Sequence, residues 1–366
     1  MLKEGQIGVF EASAITTIMI ASNVFFTSGW SIADRLGPAA WYGILLSACT
    51  ALGGFYILFL LLQRFQGQGL VPVYEAAFGR PAGGLLLLLT ASLFLFNGAM
   101  ITREFVEAGK VYFYPLTPPS LMIVFFLLAV VTLLHCGLEV IVRSAALFAW
   151  PLLTALLAIF FFAGPLYSAS HLFPILGPGP VKTLTTGLMR SSMFGEVIVL
   201  AVFVNALQGA GHFKKAGVTA LVFSGALITL SAIFYTLAFP YPVAAENTIP
   251  LLALTRVIEY GRFFQRFDSI FLFAWSIVAM LAVAVNLYAA LSIYCRVFRI
   301  DDHRALLPSL AVLVFSLAIL LPDISSIAFI YVNLMRQHGW LIGFGLPLLA
   351  LLAAVVRGKK GGPAGA

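Results

Sequence analysis

An apolar segment is interrupted by Leu188-Met189-Arg190-Ser191-Ser192-Met193-Phe194-Gly195-Glu196-Val197. The segment is otherwise long enough to span a membrane, yet this stretch carries an arginine, two serines, a glycine and a glutamate. Polar or irregular backbone survives at membrane depth only where it faces protein or a cavity, and an ionisable residue there indicates a functional site. We therefore predict that the helix breaks here and that its ends hold a small ligand. The alternative is a kinked helix in which Arg190 and Glu196 lie in loops or pair with each other.

Composition places the chain in a membrane. Of its 366 residues, 61% are hydrophobic and 10% are charged, against about 45–50% and about 25% in soluble domains. The apolar runs are long and continuous instead of alternating, which predicts an all-α integral membrane protein and excludes a transmembrane barrel. The net charge of +7 comes from cations spread singly between these runs. That spacing indicates contact with the lipid bilayer and argues against a nucleic-acid partner.

Ten apolar segments are predicted to span the membrane, since a spanning helix needs roughly 20 largely apolar residues. They are residues 8–30, 38–63, 83–112, 119–136, 140–164, 183–206, 214–239, 264–296, 304–321 and 325–356. Residues 1–366 are expected to form a single membrane domain. An alternative for the tenth span is a shorter helix preceded by a polar turn at Arg336-Gln337-His338-Gly339. Twelve of the 21 lysines and arginines fall on the side of the termini, seven on the other side and two within spans. Because loops rich in Lys and Arg stay inside, both termini are predicted to be cytoplasmic.

A faint internal repeat divides the ten spans into two halves. A proline-led segment that contains glutamate and closes with Gly-Arg follows the second span at 71–80, and a similar segment follows the seventh span at 249–262. Five spans per half give the two halves opposite topology, as in the inverted repeats of secondary transporters. We therefore predict inverted repeats over residues 8–164 and 183–356, in which helices 1 and 6 correspond and both are discontinuous.

The first span carries a polar patch at the position that matches the break in the sixth span. Its residues Ser22, Asn23, Thr27 and Gly29 are candidate ligand contacts. A broken helix offers free N–H groups to an anion and free carbonyls to a cation, so a zwitterionic amino acid would suit both ends. The alternative is a cluster of small polar side chains that packs against a neighbouring helix.

Further candidate ligand contacts lie in the third, sixth and eighth spans. They are Arg103, Glu104, Met193, Phe194, Gly195, Glu196, Asn286 and Tyr288. Arg103 and Glu107 are four residues apart and share a helix face, so a buried ion pair that needs no ligand is the alternative for Arg103. Glu104 points to another face and is a candidate to line the pathway or to carry a proton.

Motifs of enzymes are missing from the sequence. The chain contains no GxxxxGKS/T, HExxH or GxSxG pattern, and none of the chemistries that these patterns support is indicated. Its five histidines are scattered, without the spacing of metal ligands. No nucleophile is paired with a base. We therefore expect no enzymatic activity, no cofactor and no metal.

An ordered set of short motifs runs along nearly the whole chain. It comprises Trp41, Arg103-Glu104-Phe105, Thr117-Pro118, Gly137-Leu138-Glu139-Val140, Phe173-Pro174, Phe194-Gly195-Glu196, Arg266, Asp268 and Trp275. In these motifs the chain resembles the spore germination permeases, the B-type subunits of nutrient germinant receptors within the amino acid–polyamine–organocation superfamily. The resemblance implies a LeuT-like bundle with a 5+5 inverted repeat. It also implies a place in the spore inner membrane beside A- and C-type receptor subunits, where a nutrient such as an amino acid is sensed.

Three functions remain open at the level of sequence. The first is a nutrient sensor, in which a germinant enters a cavity between spans one, three, six and eight and shifts the bundle between states. The second is a proton-coupled amino acid transporter with Glu104 or Glu196 as the proton carrier. The third is a scaffold subunit with a vestigial cavity, whose role is assembly with partners.

Overall fold

The chain folds into a bundle of helices, as its long apolar runs predict. The computed structural model describes residues 5–25, 27–247, 249–259, 267–320 and 329–361, and gives the backbone alone at 23–25, 27–30, 245 and 331–333. The α-helices are α1 Val9–Phe25, α2 Thr27–Leu36, α3 Ala40–Arg64, α4 Leu70–Phe78, α5 Arg80–Tyr112, α6 Pro119–Cys136, α7 Leu138–Phe162, α8 Pro180–Arg190, α9 Val199–Val202, α10 Ala210–Ala238, α11 Tyr241–Glu246, α12 Pro250–Val257, α13 Phe267–Phe298, α14 Leu307–Leu320 and α15 Leu346–Val356. Extended pairing in these described ranges is limited to an isolated bridge between Ile7 and Leu207.

Seven helical segments among the described residues are long and apolar enough to cross a membrane. They are Ser31–Arg64, Arg80–Tyr112, Pro119–Cys136, Leu138–Phe162, Ala210–Ala238, Phe267–Phe298 and Leu334–Val356. The remaining predicted spans coincide with two shorter apolar helices, Val9–Ser22 and Arg304–Leu320, and with the interrupted segment from α8 to α9. The chain is therefore an all-α integral membrane protein, as predicted. The count of ten spans and the inverted repeat stay predictions.

Helices α5 and α13 form the centre of the bundle and pack along each other. The most apolar window of α13 is 67% buried within the protein, against 22% for α6 and for α7. Helix α13 is therefore an inner helix, whereas α6 and α7 lie on the outside of the bundle. Helix α1 contacts α7, α10 and α13, so the first span also belongs to the inner part of the bundle.

A close contact with α3 positions the end of α8. Ser47 Oγ on α3 donates a hydrogen bond to the carbonyl oxygen of Gly187 at 2.7 Å. A Cβ atom added at Gly187 would lie 2.7 Å from the Cδ2 of Leu46 and 3.1 Å from the carbonyl oxygen of Gly43, so a side chain there would require Leu46 to shift and α3 to give by a few tenths of an ångström. This contact holds the last turn of α8 against α3, because Gly187 lies three residues before the end of α8 at Arg190.

The α-helix of the sixth span ends where the sequence predicts a break. Helix α8 ends at Arg190, and Ser191–Ile198 continue as a 3₁₀-helix before the short α9. All residues of this 3₁₀ segment are buried. A 3₁₀ run of this length is uncommon because its hydrogen bonds have poorer geometry than those of an α-helix, and such runs often mark a hinge. The matching break predicted at 22–29 falls largely outside the described side chains and stays a prediction.

The 3₁₀ segment packs backbone to backbone against the last span at two glycines, Gly195 and Gly343. The space for an added Cβ atom differs between them. A Cβ atom at Gly343 would lie 3.0 Å from Gly195 Cα, whereas one at Gly195 would meet Gly343 Cα at 3.7 Å, an ordinary contact. We expect Gly343→Ala to lower the free energy of unfolding by about 1–3 kcal/mol, as overpacking does, and Gly195→Ala to be nearly neutral. Thermal unfolding of the purified variants measures both effects. Equal losses of stability would contradict this packing.

Two of the predicted interfacial segments are helical, and the alternative of a polar turn in the tenth span is wrong. Helix α4 covers most of 71–80, and α12 lies within 249–262. The stretch Arg336–Gly339 is instead largely helical, since Tyr331–Arg336 is a π-helical turn and helix continues to residue 338. Arg336 is buried instead of lying in a loop, because a carboxylate inside the bundle faces its side chain.

Candidate functional site

A buried hydrogen-bond network joins the 3₁₀ segment to the centre of the bundle. The side-chain Nδ2 of Asn97 on α5 donates to Glu196 Oε1 at 2.9 Å and to Asn286 Oδ1 at 3.0 Å. Asn286 on α13 donates in turn from its Nδ2 to the carbonyl oxygen of Ala282 at 2.8 Å. All three polar side chains are buried. The third, sixth and eighth spans are thus connected through side chains at the break.

Arg336 brings the last span into the same network. Its Nη1 lies 3.7 Å from Glu196 Oε1, and Ser192 Oγ donates a hydrogen bond to the Arg336 carbonyl oxygen at 2.5 Å. The two charged side chains are 3% and 4% exposed. Because a buried charge is tolerated only when it is paired and hydrogen-bonded, Glu196 and Arg336 allow each other to lie at this depth. Glu196 therefore contacts two different elements, α5 and the last span.

A small cavity lies against this network, between α5, the 3₁₀ segment and residues 335–343. The lining includes Asn97, Ser192, Gly195, Glu196 and Arg336. Its volume of about 20 Å³ holds roughly one water molecule, so an amino acid enters only when the three elements move apart. Among the described residues no group of three or more His, Cys, Asp or Glu side chains is placed to hold a metal ion. The chemistry available at the cavity is hydrogen bonding and charge pairing.

The alternative predicted for Arg103, a buried ion pair, is confirmed. Its Nη2 lies 2.6 Å from Glu107 Oε1, and the two side chains are 5% and 8% exposed. Glu104 beside them is buried as well. Arg103 is six positions after Asn97, which places the pair about 9 Å further along the axis of α5. Neither Arg103 nor Glu104 lines the small cavity at the break.

In the first span the structure describes one of the four predicted contacts in full. Ser22 is buried, and its Oγ donates to the carbonyl oxygen of Met19 at 2.7 Å, a bond within its own helix. The side chains of Asn23, Thr27 and Gly29 lie outside the described residues. Their role as ligand contacts stays a prediction.

Three further predicted contacts lie away from the small cavity at the break. Met193 and Phe194 are fully buried in the hydrophobic core. Tyr288 packs its ring against those of Phe203 and His303, with centroids 5.7 Å and 5.8 Å apart. Burial lowers the pKa of the His303 imidazole, which lies in the loop after α13. Tyr288 thus belongs to an aromatic contact near that loop instead of the polar network.

The network contains three residues that were not predicted as contacts: Asn97, Ser192 and Arg336. Asn97 stands in the apolar run 93–100, where an amide is costly unless it is hydrogen-bonded, so a signal for it was present. Ser192 lies inside the predicted break itself. For Arg336 the polar residues that follow it in the sequence indicate an exposed loop. Its burial in the folded bundle shows that it belongs to the network instead.

The fold is that of membrane transporters of known structure. One is Mhp1, a nucleobase-cation-symport-1 family transporter, in a closed conformation with bromovinylhydantoin bound. The structural match covers 98% of this chain and 92% of the Mhp1 chain, with a TM-score of 0.69 and 14% identity. MhsT in complex with L-phenylalanine matches 95% of this chain over 89% of its own, with a TM-score of 0.67 and 14% identity. These likenesses define a membrane protein of the LeuT-like transporter fold, as predicted.

Sequence comparison then assigns the family. Residues 9–327 match the family model of the spore permeases, described as spore germination protein, and the chain belongs to this family. It is 25% identical to spore germination protein KB of Bacillus subtilis (strain 168) over 276 aligned residues. The aligned region covers 74% of this chain and 72% of that relative. Spore germination protein YndE of the same organism is 23% identical over 279 residues, covering 75% of this chain and 76% of the relative. The resemblance found in the sequence motifs is confirmed.

Proposed function

We propose that this chain is the membrane subunit of a spore nutrient germinant receptor, which binds a small nutrient such as an amino acid and signals germination. Its family supports the germination role, and its transporter fold supports a central binding site. The observation that carries the proposal is the network of Asn97, Glu196, Asn286 and Arg336, which meets at the break in the sixth span. In this role the chain lies in the spore inner membrane beside A- and C-type subunits, with both termini cytoplasmic.

Binding at this site requires the bundle to open. In the closed arrangement Glu196 holds α5 and the last span against the 3₁₀ segment. A solute that occupies the site replaces some of these contacts, so it binds an opened state more tightly than the closed one. A ligand shifts such an equilibrium only by the difference between its two affinities. The signal is then a movement of residues 191–198 relative to α5, which the partner subunits detect.

Thermal stabilisation by solutes tests the proposal. The full chain in lipid nanodiscs is expected to be stabilised by at least one of the 20 proteinogenic amino acids, because a ligand at a hundredfold excess over its Kd adds about 2.7 kcal/mol. Glu196→Gln is expected to weaken that binding about tenfold or more, since hydrogen bonds to charged groups contribute about 1.5–3 kcal/mol. Glu139→Gln is the control, because Glu139 is a half-exposed carboxylate on α7. Wild-type affinity in Glu196→Gln would contradict the site.

A proton-coupled transporter is the second candidate, and the buried carboxylates of Glu196 and Glu104 favour it. Uptake of the solute into proteoliposomes, driven by a pH gradient and lost in Glu196→Gln, would support transport. Binding without flux would support the receptor. A chain that binds no solute and still co-purifies with the other receptor subunits would support a scaffold role.

A further inference from the structure

Arg190, the last residue of α8, is a buried cation without an acceptor in the part of the chain that the structure describes. It is 3% exposed, and both of its terminal nitrogens, Nη1 and Nη2, are buried and make no hydrogen bond. Among the described residues, the charged side chains that act on it electrostatically are Arg35 and Arg336, and both repel it. Arg103 is buried to the same extent, yet its Nη2 lies 2.6 Å from Glu107.

A structural role alone does not account for Arg190. The end of α8 carries partial negative charge that favours a cation, but that charge supplies no acceptor for the two Nη groups. A buried ion without a partner lowers stability, and an apolar residue of similar volume is often more stable at such a position. Residues that reduce stability in this way are typical of functional sites.

We infer that Arg190 binds the carboxylate of the small solute that this chain recognises, an inference that rests on the proposed function. A guanidinium group is a planar fork that pairs with a carboxylate through two parallel hydrogen bonds. Both Nη atoms of Arg190 are buried and have no hydrogen-bond partner among the described residues, so they can form this pair with a carboxylate once the bundle opens. A bound anion also reduces the repulsion between Arg190 and its two neighbours, Arg35 and Arg336. The ligand class is therefore a small organic acid or zwitterion, held at the start of the 3₁₀ segment.

A larger cavity with a cationic wall lies beside Arg35. Its volume is about 540 Å³, and its lining includes Arg35, His171 and Lys182, with Asp34 as the carboxylate among the described lining residues. This volume is in the usual range for small-molecule pockets, and a cleft lined by cations raises the local concentration of anions. Arg190 itself does not line this cavity. Lys182, which does, lies eight residues before Arg190, about 12 Å along α8.

The first test needs no ligand. The full chain is reconstituted in nanodiscs of phosphatidylcholine, and its thermal midpoint is compared with those of Arg190→Met and Arg103→Met. Arg190→Met is expected to raise Tm by about 2 °C or more, because it removes an uncompensated charge. Arg103→Met, the matched variant at a paired arginine, is expected to lower it. A fall in Tm for Arg190→Met would overturn the inference, since it would show that Arg190 has a structural partner.

The second test compares an acid with its neutral analogue. The amino acid that stabilises the wild type most is measured beside its primary amide, with inorganic phosphate as a separate probe, in nanodiscs that contain no anionic lipid. The amide is expected to bind about tenfold or more weakly than the acid. Arg190→Gln is expected to lose the response to the acid, and Arg143→Gln on the exposed side of α7 is expected to keep it. An equal response to the amide, a response to phosphate in place of the acid, or a retained response in Arg190→Gln would overturn the inference.

Failure of the carboxylate site and failure of the receptor proposal give different results. A solute that stabilises the wild type and Arg190→Gln equally would overturn the carboxylate site and leave the receptor proposal intact. If no amino acid stabilised the wild type, both would be overturned. A response to the acid that is lost in Arg190→Gln and kept in Arg143→Gln supports both.

Discussion

Replacing Arg103 with methionine is expected to lower the free energy of unfolding by about 3–5 kcal/mol. The substitution leaves Glu107 as a buried carboxylate without the guanidinium that lies 2.6 Å away in the wild type. A buried charge that loses its partner costs more than the lost packing, because neither water nor another cation replaces that partner at this depth. Reversible unfolding in mixed micelles of increasing denaturing-detergent content measures the loss.

Arg143 provides the control for this prediction. It forms the same pair at a spacing of four residues, with Glu139 on α7, but the two side chains are 70% and 42% exposed. Exposed pairs contribute about 0–1 kcal/mol, so Arg143→Met is expected to change stability by less than about 1 kcal/mol. Replacing both Arg103 and Glu107 with methionine is expected to recover most of the loss. Equal losses for Arg103→Met and Arg143→Met would show that the Arg103 pair is not buried.

Glu196→Leu is expected to have the second large effect. It removes the acceptor of the Asn97 hydrogen bond and the carboxylate that faces Arg336. The 3₁₀ segment then loses side-chain contacts to both α5 and the last span. Removing one partner of a buried charged pair costs about 3–5 kcal/mol, and solute binding is expected to be lost as well. Because leucine has nearly the volume of glutamate, a new cavity is not the cause.

Glu196→Gln separates the hydrogen bond from the charge. The glutamine oxygen still accepts from Asn97, while the negative charge opposite Arg336 is removed. We expect this variant to lose about 1–3 kcal/mol, less than Glu196→Leu. Thermal unfolding of the two variants, measured together with solute binding, provides the comparison. A Glu196→Leu variant of wild-type stability that binds the solute normally would exclude the network as the binding site.

The break in the sixth span and the Arg103–Glu107 pair were predictable because both are local features. Polar residues between 188 and 197 are conspicuous in an apolar segment. A spacing of four residues places Arg103 and Glu107 on one helix face, however the rest of the chain packs. The all-helical membrane fold likewise follows from the length of the apolar runs.

The partners of Glu196 were not predictable because they come from distant parts of the chain. Asn97 and Glu196 are 99 residues apart, and Ser192 and Arg336 are 144 residues apart. Which side chains meet over such separations depends on how the helices pack, and a single sequence does not contain that information. That the described residues offer the Nη atoms of Arg190 no acceptor is also a property of the folded bundle, since the sequence alone allows a pair between Arg190 and Glu196.

Photo-crosslinking of a bound solute shows directly whether the ligand binds at the break in the sixth span. A diazirine derivative of the amino acid that stabilises the chain most is irradiated with the nanodisc-embedded protein, with and without an excess of the unmodified amino acid. Mass spectrometry then locates the labelled peptides. We expect labelling that the unmodified amino acid suppresses in peptides containing residues 187–198 or 335–343. Suppressible labelling confined to other spans would contradict a binding site at the break.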